Sequence, residues 1–243
     1  MTHKIYEITD DITAIVLDID EENVQEIIAN NVVSICEGSA ETDLETIKIK
    51  LKDYLEPKTI KQKRGAIAEF YVHLFLKSLG YKQNFLFLNL EENSIKKGFD
   101  GYYTYNCDEW IVESKSGINT THQNKIKEAY SDLEKKLTTK EKNNPWENAY
   151  NHAAHIAVAA EKTIIEKLKK LSNDYIKNIH LTDFNLMPCG TVFDHDASTD
   201  VIKNTIFEQV KTAIDSMKYK KLCVIAISNR SYNAFLKFIG LEA

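Results

Sequence analysis

The sequence has 243 residues, 43% hydrophobic and 28% charged, which excludes wholesale disorder and a fibrous repeat. Only 8 Gly and 3 Pro interrupt it, which leaves room for long helices, argues against a turn-rich β-sandwich and predicts an α/β fold. The formal net charge is -5, yet residues 1–46 hold twelve acidic side chains against Lys4 alone, and residues 47–243 carry +6.

Taken in chain order, Ile5 to Asp18 alternates loosely and is rich in β-branched residues, which predicts one or two short strands. Glu22 to Ile35 and Asp43 to Leu55 read as helices, the second ending before Glu56-Pro57 because the residue preceding a proline avoids helical angles. That break divides an acidic N-terminal extension, residues 1–57, packed on a core of residues 58–243. Thr59 to Leu79 carries apolar residues at helical spacing (Ile67, Phe70, Tyr71, Leu74, Phe75) and stops at Gly80. Phe85 to Leu90 is a short apolar run, followed by a polar loop from Glu91 to Lys97. Gly101 to Tyr105 and Glu109 to Lys115 are predicted to form a hairpin with Asn106-Cys107-Asp108 as its loop. A helix runs from the polar Asn119–Asn124 segment to about Lys142, Pro145 breaks it, and another runs from about Trp146 to Leu171. A strand over Ile179 to Val192, a helix over Thr199 to Met217, a buried strand over Cys223 to Ser228 and a closing helix over Tyr232 to Phe238 complete the chain.

The chemistry concentrates in EWIVESKSG. Side chains alternate across a strand, so Glu113 and Lys115 share a face. A hairpin turning about Cys107 places Asp100, in GFDG, opposite Ser114 and diagonally close to both. Two carboxylates suit a hard cation such as Mg²⁺ or Mn²⁺, whose remaining positions go to water and substrate phosphate. A cation there activates water and stabilises charge on a phosphate, while Lys115 orients or helps deprotonate the attacking water. Glu69, on the predicted helix and turned away from its apolar stripe, adds a further acidic group. The same residues also fit a plainer account: a turn aspartate, a solvated ion pair and a helix-surface glutamate.

The order of these parts, a helix with Glu69, then Gly98-Phe99-Asp100-Gly101, then a strand ending Glu113-Ser114-Lys115, resembles the PD-(D/E)XK nuclease superfamily. Phe99 stands where the superfamily name writes proline. More narrowly, RGAIAE, GFDG, WIVESK and a later Met187-Pro188 stretch ending in Phe193-Asp194 resemble the HamA family, nuclease subunits of the Hachiman antiphage defence system. The resemblance implies a restriction-endonuclease-like core and metal-dependent DNA cleavage. Asp100 and Glu113 would be metal ligands, Lys115 the catalytic lysine and Glu69 the helix acid. It also implies a HamB-like helicase/ATPase subunit that restrains the nuclease until DNA is engaged. A non-catalytic regulatory subunit on the same fold and a stand-alone restriction-type endonuclease remain as alternatives.

Basic residues at two places could meet a DNA backbone: Lys61, Lys63 and Arg64, with Lys58, ahead of the predicted helix, and Lys125, Lys127, Gln123 and His122 after the motif strand. A solvated helix surface fits each equally or better. His152 and His155 lack a third ligand, and Asp194-His195-Asp196 reads as a loop. Ser114 and Ser116 lack a nucleophile motif. Neither GxxxxGK[ST] nor GxGxxG occurs, so no ATP is expected to bind this chain and energy would come from a partner. The four cysteines form no CxxC pair and read as structural thiols. No apolar run approaches the ~20 residues that cross a bilayer, and the N-terminus turns acidic where a signal peptide would continue apolar. We therefore expect a cytoplasmic protein.

Overall fold

The computed structural model describes residues 1–22, 24–38, 41–88, 98–138, 144–155, 162–175 and 180–242, with the backbone alone for 152–155. Within them one seven-stranded mixed sheet is covered by helices on both faces. The strands are β1 (Thr2–Thr9), β2 (Ile12–Ile19), β3 (Lys82–Gln83), β4 (Gly101–Tyr105), β5 (Asp108–Gly117), β6 (Asn185–Phe193) and β7 (Lys221–Asn229). Their spatial order is β1-β2-β7-β6-β5-β4-β3. The four central strands, β2, β7, β6 and β5, run parallel, and antiparallel strands close both edges.

The helices are α1 (Val24–Glu37), α2 (Leu44–Leu55), α3 (Ile60–Ser78), α4 (His122–Thr138), α5 (Pro145–His155), α6 (Lys162–Asp174), α7 (Asp200–Ile214) and α8 (Tyr232–Phe238). Alternation along each strand sorts the core into two layers. Ile15, Leu17, Val112, Ile225 and Ile227 face α1, α2, α3 and α8. Ala14, Val16, Ile111, Val224 and Ala226 face α4, α5, α6 and α7.

Local sequence explains the elements that carry the site. Thr59 and Gln62 form a capping box that starts α3, and Asp43 caps α2 by accepting from the Thr46 N–H at 2.9 Å. From Ala66 to Leu76 α3 is buried on every side, because it packs on β5 while α1 and α8 cover it from outside. The acidic segment 1–57 contributes β1, β2, α1 and α2 to the common sheet and core, with β2 parallel to β7 across Ile12↔Leu222 to Ile19↔Asn229.

Several expectations shift. The hairpin loop has two residues, Asn106 and Cys107, both at positive φ (47° and 66°), as a turn matching strand twist requires. Tyr105 therefore pairs with Asp108, and Gly101 with Val112. Continuing this register sets Asp100 level with Glu113, one position from the expected Ser114. A short 3₁₀ turn, Leu181–Asp183, precedes β6, so that strand begins later than expected. Pro145 opens α5, a position where its missing N–H costs nothing. The end of the Phe85–Leu90 run, the Glu91–Lys97 loop, the helix end near Lys142, the middle of the Trp146–Leu171 helix, Ile179 and the side chains of His152 and His155 lie outside the described residues.

Candidate active site

Glu113 and Lys115 occupy the C-terminal half of β5 and point to the α4 side, on the same face as Ile111. Glu113 is 1% exposed, and both of its carboxylate oxygens are held by ammonium groups. Lys115 Nζ lies 2.9 Å from Oε1, and Lys136 Nζ, from α4, lies 2.6 Å from Oε2. Lys115 Nζ also reaches Asp132 Oδ2 on α4 at 2.6 Å. Burial pulls the Lys115 ammonium down, but Glu113, Asp132 and Asp100 together outweigh it and hold its pKa above the ordinary lysine value. Lys115 is thus a fixed positive charge.

Asp100 sits in the bend immediately before β4, the other strand of the hairpin. Its Oδ2 accepts from the backbone N–H of Ser114 at 2.8 Å. Burial raises its carboxyl to about 8, with the nearby charges of Glu113 and then Glu69 adding to the effect, against Lys136 and Lys115. Glu69 is 5% exposed on α3, so it is not on an open helix face as its spacing predicts. Its Oε1 lies 3.6 Å from Nε2 of His73, one turn on, whose Nδ1 meets the Tyr103 hydroxyl.

Tyr54 of α2 also borders this group. Glu69 and Asp100 act on its phenol, which burial first and these carboxylates second hold above the ordinary tyrosine value. Asp132, Lys136, His73 and Tyr54 did not stand out from the sequence. Asp132 and Lys136 are spaced i, i+4, a surface-pair signature, and only the packing of α4 on β5 gives that spacing a target.

Among the described residues, no group of three or more His, Cys, Asp or Glu side chains is arranged to hold a metal ion. Asp100 and Glu113 are a two-carboxylate donor set, which is what Mg²⁺ commonly takes from a protein before water and phosphate complete its shell. Burial first and the charge of Glu113 second raise the Asp100 carboxyl, and a shared cation would offset both. The residues fit a hard divalent ion.

The basic candidates divide. Lys61 and Lys127 are exposed, and Gln123, Lys63 and Arg64 are half-buried, the Arg64 guanidinium sitting 5.3 Å above the Tyr232 ring. Lys125 pairs with Glu128 at 2.6 Å. His122 is not available to a DNA backbone: it is 1% exposed, and its Nε2 lies 3.2 Å from the Ile227 carbonyl. Cys36, Cys189 and Cys223 are buried thiols and Cys107, in the hairpin loop, is exposed.

A family model for HamA matches residues 2–241, nearly the whole chain. The chain belongs to the HamA family. Its antiphage-defence character, of the Hachiman type, follows from that membership. No curated protein and no solved structure matches the chain. As a HamA-family protein it places Asp100, Glu113 and Lys115 together at one end of a β-hairpin, and among its described residues no helix is long and apolar enough to cross a membrane.

Proposed function

We propose that this HamA-family chain is a metal-dependent DNA nuclease that hydrolyses phosphodiesters on a PD-(D/E)XK-type core, restrained by a helicase/ATPase partner. The observation that carries this is the convergence of Asp100, fixed by the Ser114 N–H, with Glu113 and Lys115 of the adjoining strand. The order α3, β3, β4, β5, α4, β6 around that hairpin supports the same core.

Asp100 and Glu113 would hold Mg²⁺ or Mn²⁺, which when bound lowers the pKa of a coordinated water and stabilises charge on the scissile phosphate. Lys115, kept charged by Glu113 and Asp132, stabilises the negative charge that develops on the phosphate and orients the water. That raised pKa favours an electrostatic role over a basic one. Glu69, on α3, adds to the field at the Asp100 carboxyl after burial and Glu113. Lys61, Lys63 and Arg64 at the start of α3 and Gln123 and Lys127 at the start of α4 offer contacts for the backbone of DNA. The chain has no phosphate-binding loop for ATP, so energy for strand separation is assigned to the partner.

The test is cleavage of DNA by the purified chain, alone and with a helicase/ATPase partner subunit, in Mg²⁺ or Mn²⁺. Glu113→Gln and Lys115→Met are expected to lower the rate by about 100-fold or more while circular dichroism stays that of the wild type. Cleavage at the wild-type rate by both folded variants would overturn the assignment.

A further inference from the structure

Glu113 already has a full complement of cations without any metal. Its side chain is 98% buried, one oxygen facing Lys115 at 2.9 Å and the other facing Lys136 at 2.6 Å. A buried carboxylate needs a counter-charge, and Glu113 already has two, so a divalent ion entering the site meets the repulsion of both ammonium groups and competes with them for the carboxylate.

The two lysines differ in how free they are to leave. Lys115 has a second carboxylate, Asp132 Oδ2 at 2.6 Å, and stays fixed between two acids. Among the described residues Lys136 makes one direct ion pair, with Glu113, and acts on Asp100 only through its charge. The Lys136 side chain is 30% exposed, about as open as Lys115 at 29%, so solvent is within reach of a rotamer change for either, and the difference lies in the second carboxylate that anchors Lys115. Its backbone is held in place, since the Tyr175 hydroxyl donates to the Lys136 carbonyl at 3.1 Å. Only the side chain has to move.

From this geometry we infer that Lys136 is a place-holder counter-ion, occupying Glu113 Oε2 until a divalent cation displaces it. Metal binding is then an exchange of one cation for another, and the site rests in a closed ion-paired state at low metal. The inference rests on the proposed role of Glu113 as a metal ligand. It assigns Lys136 a positioning role in regulating that site, distinct from the catalytic role given to Lys115.

The experiment is calorimetric titration of Mn²⁺ into the full-length wild type, Lys136→Met, Lys136→Gln and Glu113→Gln, each checked for a native circular dichroism spectrum. Both Lys136 variants are expected to bind Mn²⁺ about tenfold or more tightly than wild type, and Glu113→Gln to lose binding. A parallel titration of the wild type with Mg²⁺, followed by the ¹⁵N resonance of the Lys136 ammonium, should show that signal move from an ion-paired to a solvated position. Equal or weaker Mn²⁺ binding by the Lys136 variants, with binding lost in Glu113→Gln, overturns the place-holder and leaves the active-site assignment standing. Undiminished Mn²⁺ binding by Glu113→Gln, or none by wild type and Lys136 variants alike, overturns both. Should one Lys136 variant misfold, the other and the ammonium resonance decide.

Discussion

The backbone N–H of Ser114 donates to Oδ2 of Asp100 at 2.8 Å, tying the aspartate of GFDG to the middle of the ESK strand. The bond fixes a carboxyl beside Glu113 where burial, then Glu113 and Glu69, push its pKa up to about 8. A carboxyl that titrates higher in the folded than in the unfolded chain, where the value is about 3.9, binds more protons when folded across that interval. Stability therefore falls as pH rises from about 4 through 8. Asp100→Asn removes the charge and keeps the shape. In metal-free buffer its melting temperature should exceed that of the wild type at pH 8 to 9, by about 2–4 °C per kcal/mol recovered. The gap should narrow steadily toward pH 4, and a variant melting below wild type at pH 9 would contradict the buried-carboxyl account.

Glu69 tests the same field from the other side. Its charge is one of the three causes that lift Asp100, so Glu69→Gln should let the Asp100 carboxyl ionise at lower pH. A ¹³C carboxyl titration of the metal-free protein reads this directly. An unmoved Asp100 titration would place Glu69 outside the site.

Gly190 controls how closely the second helix approaches. It pairs with Lys115 across β5 and β6, and a Cβ there would lie 2.8 Å from Ile126 Cγ1 and 2.9 Å from the Ile126 backbone nitrogen of α4. No neighbour can yield that much without shifting the helix. Gly190→Ala should therefore cost about 1–3 kcal/mol by overpacking. It should also loosen Asp132 and Lys136 from Lys115 and Glu113, lowering cleavage more than the stability loss alone would. Urea unfolding at pH 7 provides the first measure; a cost below about 0.5 kcal/mol would show that α4 is free to move.

The sequence made the helices and the motif hairpin legible because both are written in short-range periodicity, and Glu113 and Lys115 had to share a face whatever the register. It misplaced the turn by one residue because neither Asn106 nor Cys107 is a glycine, though both take positive φ. Helical spacing marked the apolar stripe of α3 but carried no information on whether α1 and α8 cover the opposite face, so the burial of Glu69 was hidden. The pairing of β2 with β7, some 210 positions apart, has no local signature. Pro188 in central β6 reads as a strand breaker. It survives because the β6–β7 ladder skips Met187 and Pro188, resuming at Cys189↔Ile225.

His122 carries a stability prediction away from the metal-binding residues. Nε2 lies 3.2 Å from both the Ile227 carbonyl, which can only accept, and the Ser228 hydroxyl, which can accept or donate, and a proton on Nε2 satisfies the carbonyl. The His195 ring packs edge-on with centroids 5.0 Å apart. Burial first, and His195 second, push the His122 pKa down to about 4. The unfolded chain takes up a proton near pH 6.5 and the folded one does not, so stability is complete above 6.5 and is lost as pH falls toward 4. At 1.36 kcal/mol per unit the loss approaches about 3 kcal/mol. His122→Gln keeps a donor for Ile227 and cannot titrate. Its unfolding free energy should be lower than wild type at pH 7, and should fall by about 3 kcal/mol less between pH 7 and 4. Parallel losses in the two proteins over that range would mean that His122 is protonated in the fold.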